Sequence, residues 1–249
     1  TGGTCTSTLS SGAPSCTIVV TYSPTTLAPH ADTLTLNYNN GISNTTTTRA
    51  FAGTGVPPAV LTISTPGVQN FGTRAVGALV NFTYTVTYAS GGVPATNLSG
   101  TGILTNFIFT GGSYPGTGGT CTTPLASGTC TIRVRFSPQS VATHNGTMVF
   151  NYNDGAFFQQ ITRDMTGIGV PPAVLSESGG TPYDFGIKQT GSVTDYTFNI
   201  SFVSGGVSAT GLAVSGFSAP ITFKGGSFPG TGGTCPTTIP SGLNCTIII

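Results

Sequence analysis

Apolar and polar residues alternate with a period of two along most of this chain. Phe82, Tyr84, Val86 and Tyr88 share one face of a stretch whose other face is Thr83, Thr85 and Thr87. Tyr196, Phe198, Ile200 and Phe202 repeat that pattern, Cys130, Ile132, Val134 and Phe136 form a second face, and Cys16, Ile18, Val20 and Tyr22 match it. Met148, Phe150 and Tyr152 correspond in the same way to Leu34, Leu36 and Tyr38. Period two marks strands with one buried face, and no stretch carries a helical period. Shorter strands are predicted at 59–65, 70–74, 95–101 and 105–110, and closing strands at 45–53 and 158–167. Asn40-Gly41 and Asp154-Gly155 predict type I′ hairpin turns, because those dipeptides tolerate positive φ.

The chain matches itself at an offset of 114 residues. Asn37-Tyr-Asn-Asn-Gly41 returns as Asn151-Tyr-Asn-Asp-Gly155, and Val56-Pro-Pro-Ala-Val-Leu61 as Val170-Pro-Pro-Ala-Val-Leu175. Thr-Gly-Gly-Thr-Cys occurs at 1–5, 117–121 and 231–235, each time followed by a second cysteine that opens an alternating strand. A fixed period of this size marks a tandem array. The expected organisation is the C-terminal half of one repeat at 1–55, a complete repeat at 56–169 and the N-terminal two-thirds of a third at 170–249. Seven or so strands per period predict an all-β chain of tandem β-sandwiches. The expectation is a window cut from a longer array, with exchange of strands between chains as the alternative. Gly-Thr-Gly-Val-Pro-Pro at 53–58 and Gly-Ile-Gly-Val-Pro-Pro at 167–172 predict short, stiff joints.

Composition narrows the function. Charged residues make up 5% of the chain and the net charge is +1, from seven basic and six acidic residues. No Lys/Arg cluster exists to neutralise phosphates, so a nucleic-acid partner is not expected. No run reaches the ~18 apolar residues of a membrane span. A near-neutral surface lets like chains associate, and equally suits a glycan-solubilised extracellular domain. Six Asn-x-Ser/Thr sequons stand at Asn44, Asn81, Asn97, Asn145, Asn199 and Asn244. The six cysteines form three local pairs, Cys5/Cys16, Cys121/Cys130 and Cys235/Cys245. Zinc would need closer spacing and histidine partners, so disulfides are expected, and with them an oxidising, extracellular setting.

Chemistry-bearing residues are sparse, and neither a catalytic nor a cofactor or metal site is expected. Asp32, Asp154, Asp164, Glu177, Asp184 and Asp195 do not recur as a carboxylate pair. His30 and His144 lack a repeated nucleophile beside them and are expected to begin strands. Residues 56–169 contain no lysine, which removes a Lys–Asn isopeptide staple there. Arg49 and Arg163 match across the period and suggest an ion pair, with Asp164 or Asp154 as partner for the latter. The glycine-flanked Tyr114-Pro115 and Phe228-Pro229 are a possible contact loop for a glycan or protein, or pack on their own loop or a neighbouring unit.

Taken in order, the chain shows Asn/Asp-Phe-Gly (70–72, 184–186), an alternating aromatic strand, the cysteine-bracketed loop, and Phe-Ser-Pro (136–138) or Tyr-Ser-Pro (22–24). A histidine, a strand, Asn/Asp-Gly and Gly-x-Gly follow. This order resembles the ASH/Hydin-type immunoglobulin-like domain in the form found in bacterial choice-of-anchor D proteins. The resemblance implies an immunoglobulin-like sandwich in an extracellular or surface-attached repeat protein. The expected role is a fibre, stalk or sheath whose partners are copies of itself, and the alternative is an adhesin.

Overall fold

The structure is a computed structural model that describes residues 2–10, 12, 15–103, 105–179 and 182–249. Among the described residues it is all-β. Thr1, Ser11, Ala13 and Pro14 of the first cysteine loop lie outside the described residues.

β1 (Pro29–Asn39) and β2 (Asn44–Thr54) form an antiparallel hairpin in unbroken register. Residues 56–170 then carry β3 (Val60–Ile63), β4 (Gln69–Ala75), β5 (Val80–Ser90), β6 (Thr96–Thr101), β7 (Phe107–Phe109), β8 (Thr129–Phe136), β9 (Thr143–Asn153) and β10 (Phe158–Val170). They form two four-stranded sheets, ordered β3-β5-β8-β7 and β4-β10-β9-β6. Between them lies the core the alternation predicts: Tyr84, Val86, Ile132, Val134, Phe136, Met148 and Phe150 are wholly buried. Phe71 joins the two sides, its ring 5.6 Å from Phe136 and 5.5 Å from Phe107. The sandwich read from the sequence is the fold of this stretch.

Asn70-Phe71-Gly72 owes its form to a β-bulge. The β4–β10 register shifts between Thr166 and Ile168, and Gly72 takes φ +73° opposite that shift. The Asn70 side-chain oxygen accepts a hydrogen bond from the Gly72 amide at 2.7 Å. The extra residue turns Phe71 inward, which is the usual work of a bulge. Asp184 makes the same bond to Gly186 at 2.7 Å.

In the last stretch, β11 (Val174–Glu177), β12 (Thr197–Ser204), β13 (Ala209–Thr210), β14 (Thr238–Ile239) and β15 (Asn244–Ile248) follow. β11-β12-β15 form one sheet and β13-β14 a small ribbon. Two stretches with strand patterns form no strand. Residues 16–22, the counterpart of β8, and 183–189, the counterpart of β4, are irregular. β8 pairs with β5 and β7, and β4 pairs with β10. Residues 2–55 hold no counterpart of β5 or β7, and residues 170–249 none of β10. Alternation makes a segment fit for a ladder, but only a partner strand satisfies its backbone groups.

The hairpin turns also differ from the two-residue type I′ expected. Both loops have four residues, 40–43 and 154–157, and positive φ falls only on Gly41 and Gly155. Asp154 explains this. Its carboxylate accepts bonds from the amides of Ala156 (2.8 Å) and Phe157 (2.6 Å) and from the Gln159 side chain (2.7 Å). Asn40 does the same for Ile42 and Ser43, at 2.9 Å each. These side-chain-capped turns hold the chain without a second left-handed residue.

Burial by itself raises the pKa of Asp154, but the bonds from Phe157, Ala156 and Gln159 outweigh it and hold the carboxyl below its usual range. A folded-state pKa below the unfolded value, near 3.9, gives stability that is present above that value and lost as pH falls through the folded one. Asp154→Asn keeps the turn geometry, as Asn40 shows, and should cost no more than about 1 kcal/mol at pH 7. Melting curves should show this gap shrinking as pH falls below the usual carboxylate range; a gap independent of pH would contradict the assignment.

Candidate functional site

The bridge and the threonine pair beside it are built the same way at all three cysteine loops. The structure bonds Cys5 to Cys16, Cys121 to Cys130 and Cys235 to Cys245, each with Cα atoms 4.7 Å apart. Beside each bridge two threonines grip each other. Thr120 donates its amide to the Thr131 carbonyl at 2.9 Å, and the Thr131 amide donates to Thr120 Oγ1 at 2.9 Å. Thr4/Thr17 and Thr234/Thr246 repeat both bonds at the same distances. A cross-link over so short a loop contributes on the order of 2–3 kcal/mol in the chain-entropy model. In the middle stretch the bridge belongs to the core itself, with Cys121 and Cys130 1% and 5% exposed. Cys130 faces Val86 across the β5–β8 ladder, which carries its sulfur inward.

Tyr114, Pro115, Phe228 and Pro229 follow from how this loop docks. The Pro115 carbonyl accepts a bond from the Arg133 amide at 2.8 Å, and the Pro229 carbonyl one from Ile248 at 2.8 Å. Gly116 (φ +90°) lies so close to the Arg133 carbonyl that a Cβ would collide with it, and Gly230 (φ +89°) stands likewise against Ile248. The rings consequently turn inward. Tyr114 packs edge-on against Phe109 at 5.7 Å and lies 6.4 Å from Phe150, while Phe228 meets Phe223 at 5.9 Å. They are half-buried and pack within their own loop and core, so a displayed aromatic contact is not what the loop forms.

Two clefts stand out. One, of about 600 Å³, lies over β1 and β2 and is lined by Val20, Tyr22, His30, Asp32, Leu34 and Phe51 among others. At the matching place in the middle stretch Phe71 and Phe107 pack against Phe136, so this is a core position rather than a shaped ligand pocket. His30 is committed on both nitrogens, to Tyr22 Oη at 2.7 Å and Thr26 Oγ1 at 2.8 Å. His144 is buried, with Nε2 3.0 Å from the Ser140 carbonyl oxygen. The second cleft, about 310 Å³, lies between Gly100–Ile103 and Tyr114 and offers no charged group. Among the described residues no three His, Cys, Asp or Glu side chains gather as metal ligands.

The arginine expectation also changes. Arg163 pairs with no carboxylate; it reaches across the sandwich and donates Nε to the Ser64 carbonyl (3.1 Å) and Nη2 to that of Ile63 (2.5 Å). Asp164 instead accepts from Thr147 Oγ1 at 2.6 Å. Among the described residues the ion pair present is Lys224–Asp195 at 2.7 Å, half exposed and worth about 0–1 kcal/mol.

No family model matches this chain, and no curated protein matches it. Among solved structures it is similar to the VesB protease of Vibrio cholerae, with 20% identity over 43% of this chain and 31% of that one, at a TM-score of 0.33. It is also similar to the ASH/PapD-like domain 7 of human CEP192, with 11% identity over 46% of this chain and 88% of that one, at a TM-score of 0.35. A family 123 glycoside hydrolase from Clostridium perfringens matches at 10% identity over 46% of this chain and 27% of that one, at a TM-score of 0.28. The chain thus spans about a third or less of the two enzymes. Likenesses this slight assign no activity.

The hydroxyls of Tyr84 and Tyr114 are buried without a hydrogen-bond partner. Burial pushes Tyr84 up to about 12 and Tyr114 higher, so both stay neutral. Phenylalanine stands at both matching positions of the last stretch, Phe198 and Phe228. An orphaned buried hydroxyl costs about 1–3 kcal/mol, so Tyr114→Phe should leave stability unchanged or raise it by up to about that amount. Denaturant titration checks this; a loss of more than about 1 kcal/mol would mean the hydroxyl serves a bonded role.

Proposed function

We propose that this chain is a structural repeat region of a long secreted or surface-attached bacterial protein, forming part of an extracellular fibre, stalk or sheath. The observation that carries this reading is the path of the chain through the middle sandwich. It comes in at Ala59, whose amide donates to the Asp154 carbonyl (2.9 Å) at the turn where β10 begins. It leaves at Val170, the far end of β10. At about 3.3 Å per residue these points lie roughly 40 Å apart, the layout of a spacer unit rather than a plug.

The joint supports the same reading. The Val170 carbonyl accepts a bond from Val76 in the middle sandwich at 2.8 Å, while its side chain packs on Gly206 of the next stretch. Pro171 then accepts a bond from the Gly206 amide at 2.8 Å. One residue is therefore held from both sides, and the preceding joint repeats the second half with Val56, Pro57 and Gly92. Three disulfides suit an oxidising exterior. No helix among the described residues is long and apolar enough to cross a membrane. The inward turn of Tyr114 and Phe228 supports the structural reading over that of an adhesin.

Antibodies raised against residues 56–169 should decorate the surface or surface filaments of intact, unpermeabilised producing cells in immunogold electron microscopy. Labelling that appears only after lysis would overturn the proposal.

A further inference from the structure

We propose that the middle sandwich is a load-bearing clamp, in which tension along the chain is carried as shear by the parallel β4–β10 pair and by the Arg163 strap. The inference rests on the structural reading above and adds what that structure is built to withstand.

Tension reaches residues 56–170 at two places. On one side it pulls on β3 and then β4; on the other it pulls on the C-terminal end of β10. β4 and β10 run parallel on both sides of the bulge, with Gln69 opposite Met165, Asn70 opposite Thr166, Thr73 opposite Ile168, Arg74 opposite Gly169 and Ala75 opposite Val170. Pulling β4 from its N-terminal side and β10 from its C-terminal side slides them along each other. Every bond of the ladder is then loaded at once, whereas a ladder opened from its end breaks one bond at a time. The Val76 amide adds a bond to the Val170 carbonyl at the point where the load leaves.

The strap sits where the load comes in. Between β3 and β4 the chain crosses from one sheet to the other, and this crossing is the part a pull would peel first. Arg163, from the middle of β10, holds the carbonyls of Ile63 and Ser64 there. Ser64 is also tied to β5: its amide donates to the Thr85 carbonyl at 2.9 Å, and its Oγ accepts from the Thr85 amide at 2.9 Å. The crossing is thus fixed to both sheets. The disulfide lies off this path, because it closes residues 121–130 on the β8 side. Its strength and that of the clamp are therefore separable.

The test is single-molecule pulling on the full chain in two geometries. Handles on Pro57→Cys and Pro171→Cys load β4 against β10 in shear, and handles on Ala78→Cys and Pro171→Cys, at the neighbouring C-terminal ends of the two strands, open the same ladder from one end. The clamp predicts an unfolding force at least about twofold higher in shear, since forced unfolding reads the barrier along the pulled path. Arg163→Ala should lower the shear force and leave the unzipping force unchanged. Equal forces in the two geometries of the unsubstituted protein would overturn the clamp, even if the variant fails to fold. Equal forces together with surface labelling would reject the clamp and leave the structural role standing; label confined to the interior would reject that role whatever the forces.

Discussion

A strand needs a partner, and in this protein the partner that decides most is β10. It is bonded along both edges, antiparallel to β9 and parallel to β4, and it alone carries Arg163 to the opposite sheet. Through these bonds the second and last strands of the middle sandwich become neighbours. Phe71 is thereby placed against Phe107 and Phe136, which closes the core from the side of β4. The same strand runs on to Val170 and into the next joint. Fold closure and continuity along the chain are one arrangement.

The cysteine loop obeys a different rule. It takes the same form in the middle sandwich, where its sulfurs are buried, and at Cys5 and Cys16, where they are not. Its threonine pair, its bridge and its close-packed glycines are satisfied within about fifteen residues. The bridge and threonine pair recur both where the following segment joins a ladder, as in β8 and β15, and where it does not, as in 16–22. This module anchors the loop that turns Tyr114 or Phe228 inward and so contributes to the core.

The strands of the middle sandwich are legible in the sequence because alternation and burial are the same fact seen twice: Tyr84, Ile132 and Phe150 are apolar on the face that packs. Neither the irregular course of 16–22 and 183–189 nor the role of Arg163 is legible there. The former depend on partners elsewhere in the chain, and pattern alone does not report pairing. The latter depends on two backbone carbonyls, which every residue has and no sequence advertises. The hairpin turns depart from type I′ for a related reason: Asp154 and Asn40 cap amides with their side chains instead of adopting positive φ themselves.

If pairing with β10 is what orders β4, the contrast between β4 and its counterpart can be read within a single molecule. Native-state hydrogen exchange should find the amides of residues 70–76 protected like those of β8 and β9. The amides of 184–190, alike in pattern but without such a partner here, should exchange at least about a thousandfold faster. Equal protection of the two segments would contradict the account.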